Sequence, residues 1–286
     1  MINEACVGLR VSQDYTYDWR DVILYHLGIG AGQKDLEYIY EKDLKMLPTF
    51  GVVPCFATFG TKPHYDRPYL PTSLMEGLRP EGTLHMDHRL VIHRPADPQG
   101  GNWHVEKHVS RVYDRGKDRG AKIMIEVQVS DRVGPVFTNT IGYFNRYAGG
   151  FGGQQPPSPG TDIPRRTPDR VLSASYGELA NAVYRLTGDT HRLHIDPEFA
   201  EKSGFDRCIV HGLCSMGYGC RMLVGMLIPH RPERMKEMEV QFRSVAYPGE
   251  RFCLELWQTG ETEAVFRTVS EQTGKAILDR GRFVWE

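Results

Sequence analysis

The chain has 286 residues, 40% hydrophobic and 25% charged, which is the balance of an ordinary globular protein and excludes disordered, collagen-like and coiled-coil classes. Lysine and arginine number 35 against 36 aspartate and glutamate, a formal net charge of -1. Nucleic acid and anionic membrane surfaces are therefore not expected partners, although a local basic patch for a phosphorylated small molecule stays open. No apolar run approaches the ~18 to 20 residues of a membrane span, and residues 1–20 lack a secretory pattern, so the expected location is cytoplasmic.

In chain order, residues 19–29 form an amphipathic helical segment, and residues 48–60 look like a degenerate counterpart of a longer buried helix further on. Strand-like stretches follow at 83–93, 104–113, 122–129 and 136–147. Residues 148–168, AGGFGGQQPPSPGTDIPRRTP, carry glycine and proline at a density that denies both helix and ladder, which predicts an extended connector. Beyond it, Ser175 and Glu178 suggest a capping box before a short helix with Leu179, Val183 and Leu186 on one stripe, ended by Gly188. Asp196-Pro197 opens a brief helical turn, and residues 212–227 read as a long helix whose Gly217, Gly219 and Cys220 permit close packing on a sheet. Four strands close the chain at 237–247, 251–259, 264–270 and 276–285. The prediction is an α+β protein: two copies of a helix-plus-antiparallel-sheet unit, residues 1–148 and 169–286, joined by a connector over 149–168.

The six cysteines contain no Cys-x-x-Cys pair and read as buried thiols. Five histidines lie between His85 and His108, but His85 and His88 differ by three and so face opposite sides of a regular strand. No metal site is expected. Gly28-Ile29-Gly30-Ala31-Gly32 imitates a dinucleotide fingerprint without the strand-to-helix context that would give it meaning.

Chemistry concentrates in two segments. Asp189 and His194 stand five apart on a loop between helical segments, where a carboxylate and an imidazole can converge on one water; the alternative is that Asp189 caps a turn and His194 packs in the core. In Ile209-Val210-His211-Gly212-Leu213-Cys214, Gly212 begins the long helix, where unpaired N–H groups and the positive dipole end can receive a developing oxyanion.

These residues resemble the MaoC-like dehydratase, or hydratase 2, family of (R)-specific enoyl-CoA hydratases. The likeness runs through Arg20-Asp21-Val22-Ile23-Leu24-Tyr25, Leu47-Pro48-Thr49-Phe50-Gly51, Tyr184-Arg185-Leu186-Thr187-Gly188-Asp189, Leu193-His194-Ile195-Asp196-Pro197 and His211-Gly212-Leu213-Cys214. It implies a tandem hot-dog fold with a degenerate first repeat, and usually a homodimer. It also implies reversible hydration of a trans-2-enoyl-CoA, with Asp189 and His194 as the catalytic pair and the Gly212 N–H on the thioester oxygen. Phe242 matches a phenylalanine near the substrate, His85 a substrate-contacting position of a Leu-His-Gly pattern, and Arg115 a CoA-contacting lysine. CoA would be the carrier of the substrate, and no separate cofactor is implied. The chain departs from the pattern at His191-Arg192, which replaces Asn-Pro, and at Met86, which replaces glycine. His191 is therefore a further candidate substrate contact, and an altered acyl group stands beside neutral drift as its explanation. The competing functions are an inactive acyl-CoA-binding module and a hot-dog thioesterase; the latter more often uses a carboxylate on the long helix, and residues 212–227 contain none.

Overall fold

Buried and part-exposed residues alternate along Ala121–Asp131, the period-two pattern of a strand with one face on a core. Nine other strands join it in the computed structural model, which describes residues 2–56, 75–79, 82–157 and 160–286. In the first half these are β1 (Arg10–Asp18), β2 (Thr83–Ile92), β3 (Gly100–Asp114), β4 (Ala121–Asp131) and β5 (Gly134–Asn145). In the second they are β6 (Arg170–Ser175), β7 (Met235–Phe242), β8 (Arg251–Gln258), β9 (Glu263–Ser270) and β10 (Ala276–Trp285). All ten make one antiparallel sheet in the order β1-β3-β4-β5-β2-β7-β10-β9-β8-β6. Read from either outer edge, each half runs first, third, fourth, fifth, second. The halves meet where β2 pairs with β7, from Asp87 opposite Gln241 to Val91 opposite Glu237. Arg89 clamps Glu237 across that seam through two hydrogen bonds of 3.0 and 2.7 Å.

The described residues form six helices: α1 (Trp19–Gly28), α2 (Leu36–Ile39), α3 (Val53–Phe56), α4 (Ala180–Tyr184), α5 (Pro197–Lys202) and α6 (Gly212–Leu227). Helix α6 is the long buried one, with every residue from Leu213 to Cys220 shielded from solvent. Its glycines face two ways. A methyl at Gly219 would meet Met238, Leu278 and Phe266 of the sheet, whereas one at Gly217 would sit 2.4 Å from Ile29 Cγ2 and 2.9 Å from the Tyr25 hydroxyl. The helix is thus pinned between its own sheet and α1 of the other half. In the first half the corresponding place is taken by a 3-10 segment, Pro48–Val52, running into α3, as the sequence pattern suggested; residues 57–60 of that expectation lie outside the described residues. Sheet side chains collect carbonyls of this segment. Asn139 donates to Gly51 O at 3.1 Å, Gln13 to Pro54 O at 3.2 Å, and the fully buried Lys107 to Cys55 O at 2.9 Å.

Three expectations from the sequence need correction. First, β1 and β6 escaped the pattern reading because they are the outermost strands: β1 buries only Gln13 and Tyr17, and β6 exposes nearly every side chain. Second, Ser175 and Glu178 form no capping box. Ser175 ends β6, α4 begins at Ala180, and the Glu178 carboxylate lies over Gly249. Leu179 and Leu186 are exposed, and the buried stripe is Ala180, Asn181 and Tyr184, with the Tyr184 backbone set against Gly28 of α1. Third, His85 and His88 share a face. A bulge between His85 and Asp87 puts one extra residue, Met86, into β2, which reverses the alternation and brings the two rings to 5.4 Å.

Candidate active site

Gly188, with φ of 144°, turns the chain out of the helical segment that ends at Thr187 and starts the loop carrying Asp189 and His194. The His194 imidazole is fixed by Nδ1, which lies 2.9 Å from Ile209 O. A carbonyl only accepts, so Nδ1 carries the proton and Nε2 keeps a lone pair. Burial holds His194 below the usual histidine range, against the opposing pull of Asp189 and of the Ile209 carbonyl. At Asp189 burial disfavours ionisation, but His211, His194 and His191 around it prevail, and its carboxyl lies below the usual range. The pair is therefore poised as a carboxylate and a neutral imidazole.

Gly212 opens α6 beside them. A methyl there would come within 3.0 Å of the Phe242 ring at the end of β7, and Phe242 packs edge-on against His85 at 4.7 Å. His85 lies close enough to Asp189 to feel its charge, although burial and His88 keep it neutral. Five of the seven residues singled out in the sequence, Asp189, His194, Gly212, Phe242 and His85, thus form one connected group at the seam. His191 stands at its rim, exposed, its ring 6.1 Å from His194 and 5.6 Å from Phe199. Arg115 lies apart, on the turn between β3 and β4, its guanidinium 5.1 Å over the Phe144 ring. Asp114 shapes that turn by accepting from the N–H groups of Gly116, Gly150 and Gly152, which fastens the connector's glycines to it.

The sequence reading missed His211, although it stands in the same motif as Gly212. Its ring stacks on His194 with centroids 3.6 Å apart and planes at 25°, and its Nε2 lies 3.1 Å from Asp189 O. Asp189, His194 and His211 offer donor atoms within 4.8 Å of one another, a spacing compatible with a metal ion. The stacking opposes that use: the lone pairs of two nearly parallel rings run side by side and do not converge on one ion unless a ring turns.

Residues 157–280 match the model of the MaoC like domain, and residues 15–147 match that of the MFE-2 hydratase 2 N-terminal domain. A probable enoyl-CoA hydratase 2 of Dictyostelium discoideum is 30% identical over 280 residues, covering 94% of this chain and 90% of that protein. The chain belongs to the MaoC-like hydratase 2 family. Within this family the crystal structure of a MaoC-like dehydratase from Phytophthora capsici superposes with a TM-score of 0.89 at 33% identity, over 100% of this chain and 99% of the other. A Mycobacterium tuberculosis protein described as a double hotdog fold superposes at 0.58 and 13% identity over 97% and 95%, a likeness of fold alone. Some hydratase 2 relatives are much longer: the chain is 33% identical to the peroxisomal hydratase-dehydrogenase-epimerase of Neurospora crassa but spans only 29% of it.

Proposed function

We propose that the protein reversibly hydrates a trans-2-enoyl-CoA to the (3R)-3-hydroxyacyl-CoA. One observation carries the reading: a carboxylate and a neutral imidazole with a free Nε2 lone pair sit next to the first turn of a buried helix. Asp189 and His194 Nε2 accept the two protons of one water. As its oxygen bonds to C3 of the enoyl thioester, one proton passes to His194, and electron density moves through C2 onto the thioester oxygen. The Gly212 N–H receives that oxygen at the positive end of α6. The enolate-like intermediate then takes a proton at C2 from the same pair, so the sum is addition of one water. His85 of the first half and Phe242 of the second line the approach of the acyl chain.

CoA phosphates would meet the sheet end at which β2 begins. Arg79, Arg115, Lys117, Arg119 and Arg146 are exposed there, and none is in an ion pair among the described residues. His85 lies two residues past Thr83, the start of β2, about 7 Å along a strand.

The test is incubation with crotonyl-CoA and longer trans-2-enoyl-CoAs, following enoyl-thioester absorbance together with free thiol. Loss of absorbance without thiol release is the expected result. Thiol release would make the protein a thioesterase, and tight binding with neither signal would make it an acyl-CoA-binding module.

A further inference from the structure

His211 is the most heavily engaged side chain around the dyad, and nothing in the reaction just described uses it. Its backbone precedes Gly212 and so sets where the first N–H of α6 points. Its ring is 1% exposed, stacks on His194 at 3.6 Å, touches Tyr184 at 5.0 Å, and bonds through Nε2 to the backbone oxygen of Asp189. That acceptor is a carbonyl, so Nε2 carries the proton; Nδ1 is buried and has no hydrogen-bond partner among the described residues. One rigid side chain therefore ties the loop that holds the water to the helix that holds the thioester oxygen.

We infer that His211 is a positioning residue for the hydration, fixing the Asp189 carboxylate, the His194 ring and the Gly212 N–H in one register. The inference rests on the hydratase reading. A residue that only aligns the reacting groups acts on turnover more than on binding, because a misplacement of ~1 Å costs ~10² in rate. His194 is faced by Asp189 and His191 on its own loop and by His211 just before α6, while His85 from β2 and Tyr184 from α4 surround Asp189. Loosening the loop admits water to this group, relieves the burial that keeps His194 neutral, and moves its protonation toward ordinary histidine behaviour.

The experiment compares His211→Leu, His211→Gln and His211→Asn in steady-state hydration of crotonyl-CoA across pH. A glutamine amide can reach the Nε2 position and donate to Asp189 O; the shorter asparagine reaches only the Nδ1 position. His211→Leu is expected to lower kcat by about tenfold to a hundredfold with KM within about twofold, and to move the acid limb of the kcat profile to higher pH. His211→Gln is expected to recover most of the rate and the wild-type limb, and His211→Asn neither. Wild-type kcat and an unmoved limb in His211→Leu, or equal losses in the Gln and Asn variants, overturn the inference. The Gln and Asn comparison stands even if the leucine variant does not fold. Independently of activity, imidazole 15N shifts of the wild type should report Nε2–H for His211 and Nδ1–H for His194. The opposite tautomer at His211 overturns the inference, whereas an inactive wild type with these tautomers in place counts against the hydratase reading alone.

Discussion

Acid should unfold this protein at a pH where most globular proteins are stable, because three fully buried histidines are neutral in the fold. His26 is held between Tyr38 O and the Leu47 N–H, His88 bonds to Asn139, and His211 stacks on His194. Burial lowers His26 and His88 to about 4; burial and the neighbouring His194 lower His211 to about 3. In the unfolded chain each titrates near 6.5. Stability from such groups is complete above the unfolded value and is lost as pH falls toward the folded one, because the unfolded state takes up protons that the fold refuses. Around pH 5 the difference approaches three protons, a slope of about 4 kcal/mol per pH unit. Integrated from pH 7 to pH 5 the loss is roughly 5 to 6 kcal/mol, against a total of ~5 to 15 kcal/mol for a typical domain. Urea titrations at pH 7, 6, 5.5 and 5, followed by the fluorescence of buried Trp103, Trp257 and Trp285, measure the slope directly. A His88→Gln variant, retaining a hydrogen bond to Asn139, should lower it by about a third. Stability that stays flat between pH 7 and pH 5 would mean that these rings are solvated or charged in the fold.

Asp189→Asn and His194→Gln should each reduce kcat by ~10² to 10⁴ with the far-ultraviolet spectrum unchanged, and full activity in either would refute the dyad. Replacing both Arg115 and Arg146 by alanine should raise KM for an enoyl-CoA several-fold at nearly constant kcat; the same acyl group on pantetheine, which lacks the phosphates, should show no change. Gly217→Val should destabilise by about 1 to 3 kcal/mol in urea melts, because its Cβ would lie 2.4 Å from Ile29 Cγ2; unaltered stability would mean that α1 does not clamp α6 as described.

What the sequence made legible follows from where burial is strong. The core strands and α6 carry apolar periodicity because both are packed on the core, and Asp189, His194 and Gly212 are close in sequence to the elements that hold them. The edge strands β1 and β6 were hidden for the converse reason, since a strand with few buried side chains has no alternation to read. The inward turn of both His85 and His88 depends on a bulge at Met86, and an ordinary methionine carries no sign that two residues oppose one. His211 was visible as a letter of its motif, but its acceptor is Asp189 O, 22 residues earlier, and a side-chain to backbone bond across that distance leaves no local spacing.

The site belongs to neither half by itself, and the chain's asymmetry explains why. The second half carries the long buried helix α6 next to the sheet; in the first half residues 48–56 take the corresponding place, and Gln13, Lys107 and Asn139 donate to their carbonyls. A polar solution of this kind fixes the short segment in place, since each of the three side chains would be left with a buried, unsatisfied carbonyl opposite if the segment moved. Across the seam, His85 of β2 supports Phe242 of β7, and Phe242 supports Gly212. From the other side Tyr25 packs on Tyr184, Tyr184 on His211, and His211 on His194. The first half therefore reaches the dyad by two separate paths, one through the sheet and one through α1 and α4. The first half is no passive partner: it packs on Phe242 from one side and braces the loop of Asp189 and His194 from the other.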